Sequence, residues 1–169
     1  DTVRPTVELI GTGGATAFRS ADTLQVQASD NAELNRVVAN VRNSSGTIVL
    51  GTQSPAAGAN PYVHNVPLSS LGEGTYSLRY NATDVTGNVS LTSNFAFTID
   101  NTRPTGTLVT PAEGALVGGA FTASGTAADT RTGVDRVEYR VNEITALGGT
   151  FVRNAASGTT TGTNSFSFN

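Results

Sequence analysis

Hydrophobic and polar residues alternate along most of the chain, with the period of two that is typical of β-strands buried on one face. In Thr23–Ala28 the apolar residues Leu24, Val26 and Ala28 share one face, and Arg36–Arg42 repeats the pattern. No window has apolar residues recurring at three and four positions over several turns, as a helix requires. The pattern therefore predicts an all-β chain with almost no helix.

The first hundred residues divide into seven predicted strands separated by turn signals. Ser44-Ser45-Gly46, for example, predicts a tight turn between the third and fourth strands. Seven short strands at this spacing favour an Ig-like Greek-key β-sandwich. The predicted strands are Thr6–Ile10, Thr23–Ala28, Arg36–Arg42, Thr47–Leu50, Val63–Leu68, Thr75–Thr83 and Val89–Ile99.

A repeat links the two parts of the chain. The segment Asp1–Thr6 returns as Asp100–Thr105, and the same register places Asp30 against Asp129. After a shift of one residue, Arg36-Val37 and Val41 match Arg136-Val137 and Val141. The proline in each copy restricts the backbone and stiffens a short linker. The chain therefore reads as tandem Ig-like sandwiches, spanning residues 1–100 and 101–169.

The second copy contains fewer predicted strands than the first. Nothing in it corresponds to the strands Thr75–Thr83 and Val89–Ile99, so we expect residues 101–169 to lack the last two strands of the sandwich. Three explanations stay open: a portion of a longer chain, completion by a strand from another subunit, or an atypical compact unit. The predicted strands are Gly106–Val109, Phe121–Ala127, Asp135–Asn142, Gly149–Arg153 and Ser165–Phe168.

The segment Gly72–Leu78, directly before and into the sixth predicted strand, resembles the tyrosine corner of Ig-type sandwiches. In that corner the hydroxyl, here that of Tyr76, forms a hydrogen bond back to the upstream backbone. Leu78 stands where antibody domains have a cysteine, and the chain contains no cysteine at all. The pattern indicates a disulfide-free variant whose stability depends on packing.

Two motifs make the chain similar to the tandem bacterial Ig-like repeats of surface adhesins, cell-wall proteins and secreted multidomain enzymes. One is the linker Asp-x-x-x-Pro-Thr at Asp1 and Asp100, and the other is Tyr76-x-Leu78 followed by the segment Ala82–Asn88. The resemblance covers residues 1–100 and roughly the first half of a further repeat. It implies an extracellular or cell-surface location, and it implies calcium binding, as in related adhesin repeats.

Composition argues against catalysis and against nucleic-acid binding. The only histidine, His64, has no acidic neighbour in sequence, and neither a Gly-x-Ser-x-Gly elbow nor a lysine-containing phosphate loop occurs. The net charge of −3 with scattered arginines forms no basic stripe for DNA or RNA. No apolar run approaches the ~18 residues of a membrane span. We therefore expect a protein that is not an enzyme.

Seven oxygen-bearing residues are candidate calcium ligands, because the topology of an Ig sandwich gathers them. Asp1, Asp30 and Asp84 should lie near one another at the end where the chain enters, with Asn88 close by. The junction between the units should collect Asp100, Asp129 and Asp135. Clustered carboxylate and amide oxygens suit Ca²⁺. The alternative is that these residues only cap their own turns.

The leading functional hypothesis is a structural or adhesive spacer in a secreted or surface protein, with neighbouring domains or surface subunits as partners. The alternatives are a carbohydrate- or protein-binding accessory module and a subunit completed by a partner strand. Glycan platforms usually expose aromatic rings, yet the chain has no Trp, and Tyr62, Tyr76, Tyr80 and Tyr139 read mostly as strand or core residues. Binding through the predicted loops Ser54–Asn60 or Thr159–Asn164 stays open.

Overall fold

β-Strands account for all the regular secondary structure of the residues that the structure describes, as the sequence predicts. In this computed structural model the described residues are 1–56, 59–117, 121–142, 152–157 and 160–168. Side chains are described up to Val137, apart from Pro55. No helix long and apolar enough to cross a membrane occurs among these residues. The chain divides into unit 1, Asp1–Asn101, and unit 2, Thr102–Asn169.

Unit 1 is a sandwich of two sheets. One sheet has the strand order β1-β3-β6, and the other has the order β2-β8-β7-β4-β5. All the neighbouring strands are antiparallel except β2 and β8. The strands are β1 Thr6–Ile10, β2 Ala17–Phe18, β3 Thr23–Ser29, β4 Leu34–Asn43, β5 Ile48–Pro55, β6 Tyr62–Pro67, β7 Gly74–Asp84 and β8 Ser93–Ile99.

The core of unit 1 lies between the two sheets, and it follows the period-two alternation. In β4, for example, Val37, Ala39 and Val41 are fully buried, while the residues between them are more exposed. Both sheets contribute to one continuous apolar cluster. Its members on β3, β7 and β8 are Leu24, Val26, Ala28, Leu78, Tyr80, Ala82, Phe97 and Ile99.

Two local devices position the strands of unit 1. The tyrosine corner is confirmed: the Tyr76 hydroxyl donates a hydrogen bond to the Gly72 carbonyl at 2.9 Å. At the β4–β5 hairpin, the Asn43 side-chain oxygen accepts hydrogen bonds from the backbone N–H groups of Ser45 and Thr47. Gly46 has a φ of 80° there, a conformation that favours glycine.

The structure differs from the predicted strand map of unit 1 at one edge of the second sheet, in β2 and β8. The strand β2 was not predicted, because two residues are too few to show a period. The last strand begins at Ser93 and not at Val89, since Ser90 bonds to the backbone of Ala82 through both its N–H and its hydroxyl. Val89 forms only an isolated bridge to Thr83.

The two predicted binding loops are also partly wrong. Ser54 belongs to β5, so the first loop is shorter than expected, and Ala57 and Gly58 lie outside the described residues. The second predicted loop is strand from Thr160 onward, and Thr159 lies outside the described residues. Small polar residues dominate both segments, so apolar and polar positions hardly alternate there. The sequence therefore predicted loops in place of strands.

Unit 2 contains a three-stranded sheet of order β13-β10-β9 and a two-stranded sheet of β11 and β12. The strand β10 is longer than predicted, and β11 begins at Val137 and not at Asp135. Of the predicted strand Gly149–Arg153, residues 149–151 lie outside the described residues. The strands are β9 Thr105–Thr110, β10 Ala123–Val134, β11 Val137–Asn142, β12 Val152–Ser157 and β13 Thr160–Phe168.

The first strands of the two units pair in the same register. Thr6 faces Ser29 across β1 and β3, and Thr105 faces Ala128 across β9 and β10, so both partners are displaced by the same 99 residues. In each unit the threonine hydroxyl donates a hydrogen bond to the backbone carbonyl of the residue that it faces, at 3.1 Å in unit 1 and 3.4 Å in unit 2. The repeat seen in the sequence is therefore a repeat of structure.

Candidate metal site

Three carboxylates converge at one end of unit 1. Asp1, Asp30 and Asp84 each place one oxygen within 4.8 Å of the others. Asp1 precedes β1, Asp30 follows β3, and Asp84 ends β7, so two sheets and the linker all contribute. Their exposure falls in that order, from exposed Asp1 to Asp84, which is completely buried. Three negative charges this close repel one another unless a cation lies between them.

The loop after β7 holds the Asp84 carboxylate in place. Its Oδ1 atom accepts hydrogen bonds from the backbone N–H groups of Thr86 and Asn88, both at 2.8 Å, and from the Thr86 hydroxyl at 3.0 Å. Its Oδ2 atom accepts one from the Asn88 side chain at 2.7 Å. Gly87, with a φ of 94°, lets the chain turn tightly around the carboxylate. The loop geometry is therefore built around this one side chain.

Asn88 connects this loop to the start of the chain. Its side-chain nitrogen also donates to the backbone carbonyl of Asp1 at 3.2 Å. Asp1 in turn accepts a hydrogen bond from the Val3 N–H at 2.9 Å, which orients its carboxylate. Asn88 thus lies beside two of the three carboxylates, as the topology argument expected.

A residue that the sequence did not single out supports Asp30. Asn60 accepts a hydrogen bond from the Asp30 N–H at 3.1 Å, and it donates to the Asp30 and Ala32 carbonyls. Asp30 Oδ2 accepts from the Ala32 N–H at 3.2 Å. Its Oδ1 atom is buried and has no hydrogen-bond partner among the described residues. A buried carboxylate oxygen without a partner is costly, and a bound cation would satisfy it.

The remaining candidate ligands do not join this group. Asp100 follows β8 at the opposite end of unit 1, because β7 and β8 are antiparallel. Asp129 lies in unit 2, where its Oδ1 atom accepts three backbone N–H groups of its own turn, at 2.9 to 3.0 Å. Asp135 is an exposed residue of the same unit. A calcium site of Asp100, Asp129 and Asp135 stays a prediction.

The hydrogen bonds around these turns control the pKa of two carboxyls. Burial raises the pKa of Asp84, but the hydrogen bonds from Asn88 and Thr86 outweigh it and leave the pKa below its usual value. At Asp129 the backbone N–H of Arg131 lowers the pKa most, and the N–H groups of Gly133 and Thr132 add to it against the effect of burial. Both carboxylates are therefore charged at neutral pH.

Two supporting residues, Thr86 and Asn60, could not be identified as part of the site from the sequence. Thr86 lies inside the motif Ala82–Asn88, but threonine is too common in this chain to stand out. Asn60 is 30 residues away from Asp30, and no local pattern connects them. Only the fold brings Asn60 to the site.

Comparison with known proteins places these observations in a class. Residues 104–169 match the family model described as Bacterial Ig domain. A solved structure of a tetra-tandem repeat in the extending region of a large adhesion protein is similar to 96% of the chain, at 23% identity and a TM-score of 0.42. The chain spans 40% of that structure's length. No curated protein matches the chain.

The fold and the family match define an all-β, Ig-like class. The family match covers residues 104–169, which is less than half of the chain. Unit 1 shares the linker motif and the pairing register of this segment, so the chain consists of Ig-like units in tandem. The resemblance seen in the sequence is confirmed.

Proposed function

We propose that the chain is a non-catalytic structural or adhesive spacer of a secreted or cell-surface bacterial protein. The observation that carries this proposal is the repetition of one Ig-like strand register after a short proline-containing linker. Repeats of this kind extend a chain by stacking similar units, and their partners are neighbouring domains or surface subunits.

The side chains of unit 1 favour a spacer over a glycan-binding module. Tyr80 is only 7% exposed, and the ring of Tyr76 stacks on Phe97. The Tyr62 hydroxyl is hydrogen-bonded to Ser54. These three tyrosines, the ones whose side chains the structure describes, therefore form no exposed row of rings.

A glycan array tests the spacer against the binding module. We expect the fluorescently labelled full chain to give no signal above that of an unrelated Ig-like domain. A saturable signal for one glycan class, retained at physiological salt, would overturn the spacer proposal.

A surface-display experiment supplies the positive test of the spacer proposal. The chain, inserted between a cell-surface anchor and an epitope, should expose the epitope to antibody better than a flexible Gly-Ser linker of equal residue number, which coils.

We further propose that Asp1, Asp30 and Asp84 hold a calcium ion that stiffens the linker where it enters unit 1. The three converging carboxylates and the partnerless Asp30 Oδ1 support this assignment. Ca²⁺ takes six to eight oxygen ligands, and the side chain of Asn88 and the carbonyl of Asp1 are further candidates nearby. The ion would offset two of the three negative charges and fix the start of β1.

Thermal unfolding with and without calcium tests this site. Binding to the folded state alone stabilises by about 2.7 kcal/mol at a ligand concentration of 100 Kd. We expect calcium to raise the Tm of the wild-type chain and excess chelator to reverse the increase. The variant Asp30→Asn should lose the response. The control Glu8→Gln, an exposed carboxylate on β1, should keep it. An identical Tm in calcium and in chelator would contradict the proposal.

A further inference from the structure

The chain enters and leaves unit 1 at opposite ends of the sandwich. Asp1, which precedes β1, lies close to Asp84 at the end of β7. Ile99, at the end of β8, pairs with Gly74 at the start of β7. Entry and exit are therefore separated by the length of an 11-residue strand, roughly 35 Å. Tension on a spacer that is tethered on both sides would run through unit 1 nearly parallel to its strands.

The relative direction of two paired strands decides how they respond to such tension. Backbone hydrogen bonds lie across the strands, so opposite pulls along the strands load all the bonds of a pair together. The strands β2 and β8 are parallel, so tension pulls the start of β2 toward the entry and the end of β8 toward the exit. In an antiparallel pair these two points would lie side by side, and the bonds would open one at a time.

The contact between β2 and β8 continues beyond its two ladder pairs. Phe18 pairs with Ile99, and the Phe18 carbonyl accepts a hydrogen bond from the Asp100 N–H at 2.9 Å. The side chain of Asn101 extends this series by one step, because its Oδ1 atom accepts hydrogen bonds from the N–H and the hydroxyl of Ser20, both at 3.0 Å. Asn101 therefore ties the end of unit 1 to the segment that follows β2.

Asn101 is also held on its other side. Its N–H donates a hydrogen bond to the carboxylate of Glu73, directly before β7, at 3.3 Å. On β2 itself, the ring of Phe18 packs against Phe95 and Phe97 of β8. Side-chain packing and hydrogen bonds thus reinforce the same short contact, and the bonds of Asn101 lie where tension would leave unit 1.

We propose that β2, β8 and the side chain of Asn101 form a clamp that resists the unfolding of unit 1 under tension. The bonds of the clamp are loaded together, so losing some of them accelerates forced unfolding, which is governed by the unfolding rate. The use of the clamp rests on the proposed spacer function, because only a tethered chain is under tension. The resistance itself is a property of unit 1 and is measured directly.

Single-molecule force spectroscopy on the full chain tests the clamp. Because the chain has no cysteine, cysteines added before Asp1 and after Asn169 attach the handles at these two points alone. Unfolding of unit 1 is recognised by the contour length that its 101 residues release. At constant force, Asn101→Ala should unfold unit 1 about tenfold faster than the wild type, the factor expected for two lost hydrogen bonds.

The variant Asn43→Ala is the matched control. The Asn43 side-chain oxygen also accepts two hydrogen bonds, from the N–H groups of Ser45 and Thr47, in a hairpin away from β2 and β8. Urea unfolding should show a loss of stability in both variants, which also verifies that both fold. Under tension only Asn101→Ala should unfold clearly faster. Equal acceleration in the two variants would mean that the bonds of Asn101 act as ordinary stabilising contacts, and it would overturn the proposal.

The direction of pulling supplies a second test. Asn43 pairs with Tyr76 near the start of β7, so the hairpin that contains Ser45 lies at the exit end of unit 1. Handles at Ser45→Cys and after Asn169 pull at that end only, and the bonds between β2 and β8 then open one at a time. Unit 1 should yield at a lower force than in end-to-end pulling.

Equal unfolding forces in the two pulling directions would contradict the clamp. These outcomes are distinguishable from a failure of the spacer function. A chain that failed to expose an epitope in surface display could still show the directional resistance, and a chain that succeeded there could lack it.

Discussion

The only histidine of the chain, His64, is buried between the sheets of unit 1. It is 5% exposed, and its Nε2 atom lies 2.9 Å from the Thr52 hydroxyl. Burial lowers its pKa below the usual value of 6.5. His64 is therefore a residue that packs between strands.

The buried imidazole makes the stability of unit 1 sensitive to mild acid. Since the folded state disfavours the protonated ring, the unfolded state binds more protons once the pH falls below about 6.5. We expect the free energy of unfolding to decrease from there down to the lowered pKa of the folded state. The variant His64→Gln should lack this part of the pH dependence of the free energy of unfolding. Urea unfolding across this pH range measures both proteins, and parallel profiles would contradict the assignment.

At the level of strands, the sequence predicts those elements of unit 1 in which one face is consistently apolar. β1, β3, β4 and β7 follow the predicted positions closely, because each carries at least two inward residues at a period of two. β2 has a single inward residue, Phe18, and therefore no period. The existence of β2 is decided by tertiary pairing with β8.

Despite its length, β2 should contribute measurably to stability. Phe18 packs edge-on against Phe95 and Phe97, with ring centroids 6.2 and 6.1 Å apart. A fully buried Phe→Ala change costs 3–5 kcal/mol, so for half-buried Phe18→Ala we expect about 2 kcal/mol. The exposed Leu91→Ala should change stability by less than about 0.5 kcal/mol. Urea unfolding checks the pair, and equal effects would mean that β2 is not a structural element.

For the whole molecule, the sequence could predict that Asp1, Asp30 and Asp84 converge, because the connections of an Ig sandwich place the chain start and the ends of β3 and β7 at one end. The burial of Asp84 could not be predicted, since it depends on how the loop closes around the carboxylate. The hydrogen bonds of Asn60 to the Asp30 loop could not be predicted either, because its partners are about 30 residues away in the chain. Topology can be read from pattern, whereas side-chain hydrogen bonds between distant loops depend on the folded backbone.

Among the described residues, each unit has an acid-sensitive turn around a buried carboxylate, and these turns contribute to the response of the chain to low pH. Asp84 in unit 1 and Asp129 in unit 2 are nearly inaccessible to solvent, and hydrogen bonds lower the pKa of both. A lowered pKa means that these carboxylates stabilise the fold at pH values above the unfolded value of about 3.8. That stabilisation is lost as the pH falls through the folded pKa. The loss should therefore occur in both units.

Variants assign the effect to each unit separately. Asp84→Asn should destabilise unit 1 at neutral pH and flatten its stability profile below about pH 5, because asparagine cannot ionise. Asp129→Asn should do the same in unit 2 and leave unit 1 unchanged. Two-dimensional NMR spectra recorded during an acid titration follow each unit through its own signals. If Asp84→Asn left the acid unfolding of unit 1 as steep as in the wild type, other carboxylates would have to account for it. The turn around Asp84 would then be a geometric feature without a pH-dependent role.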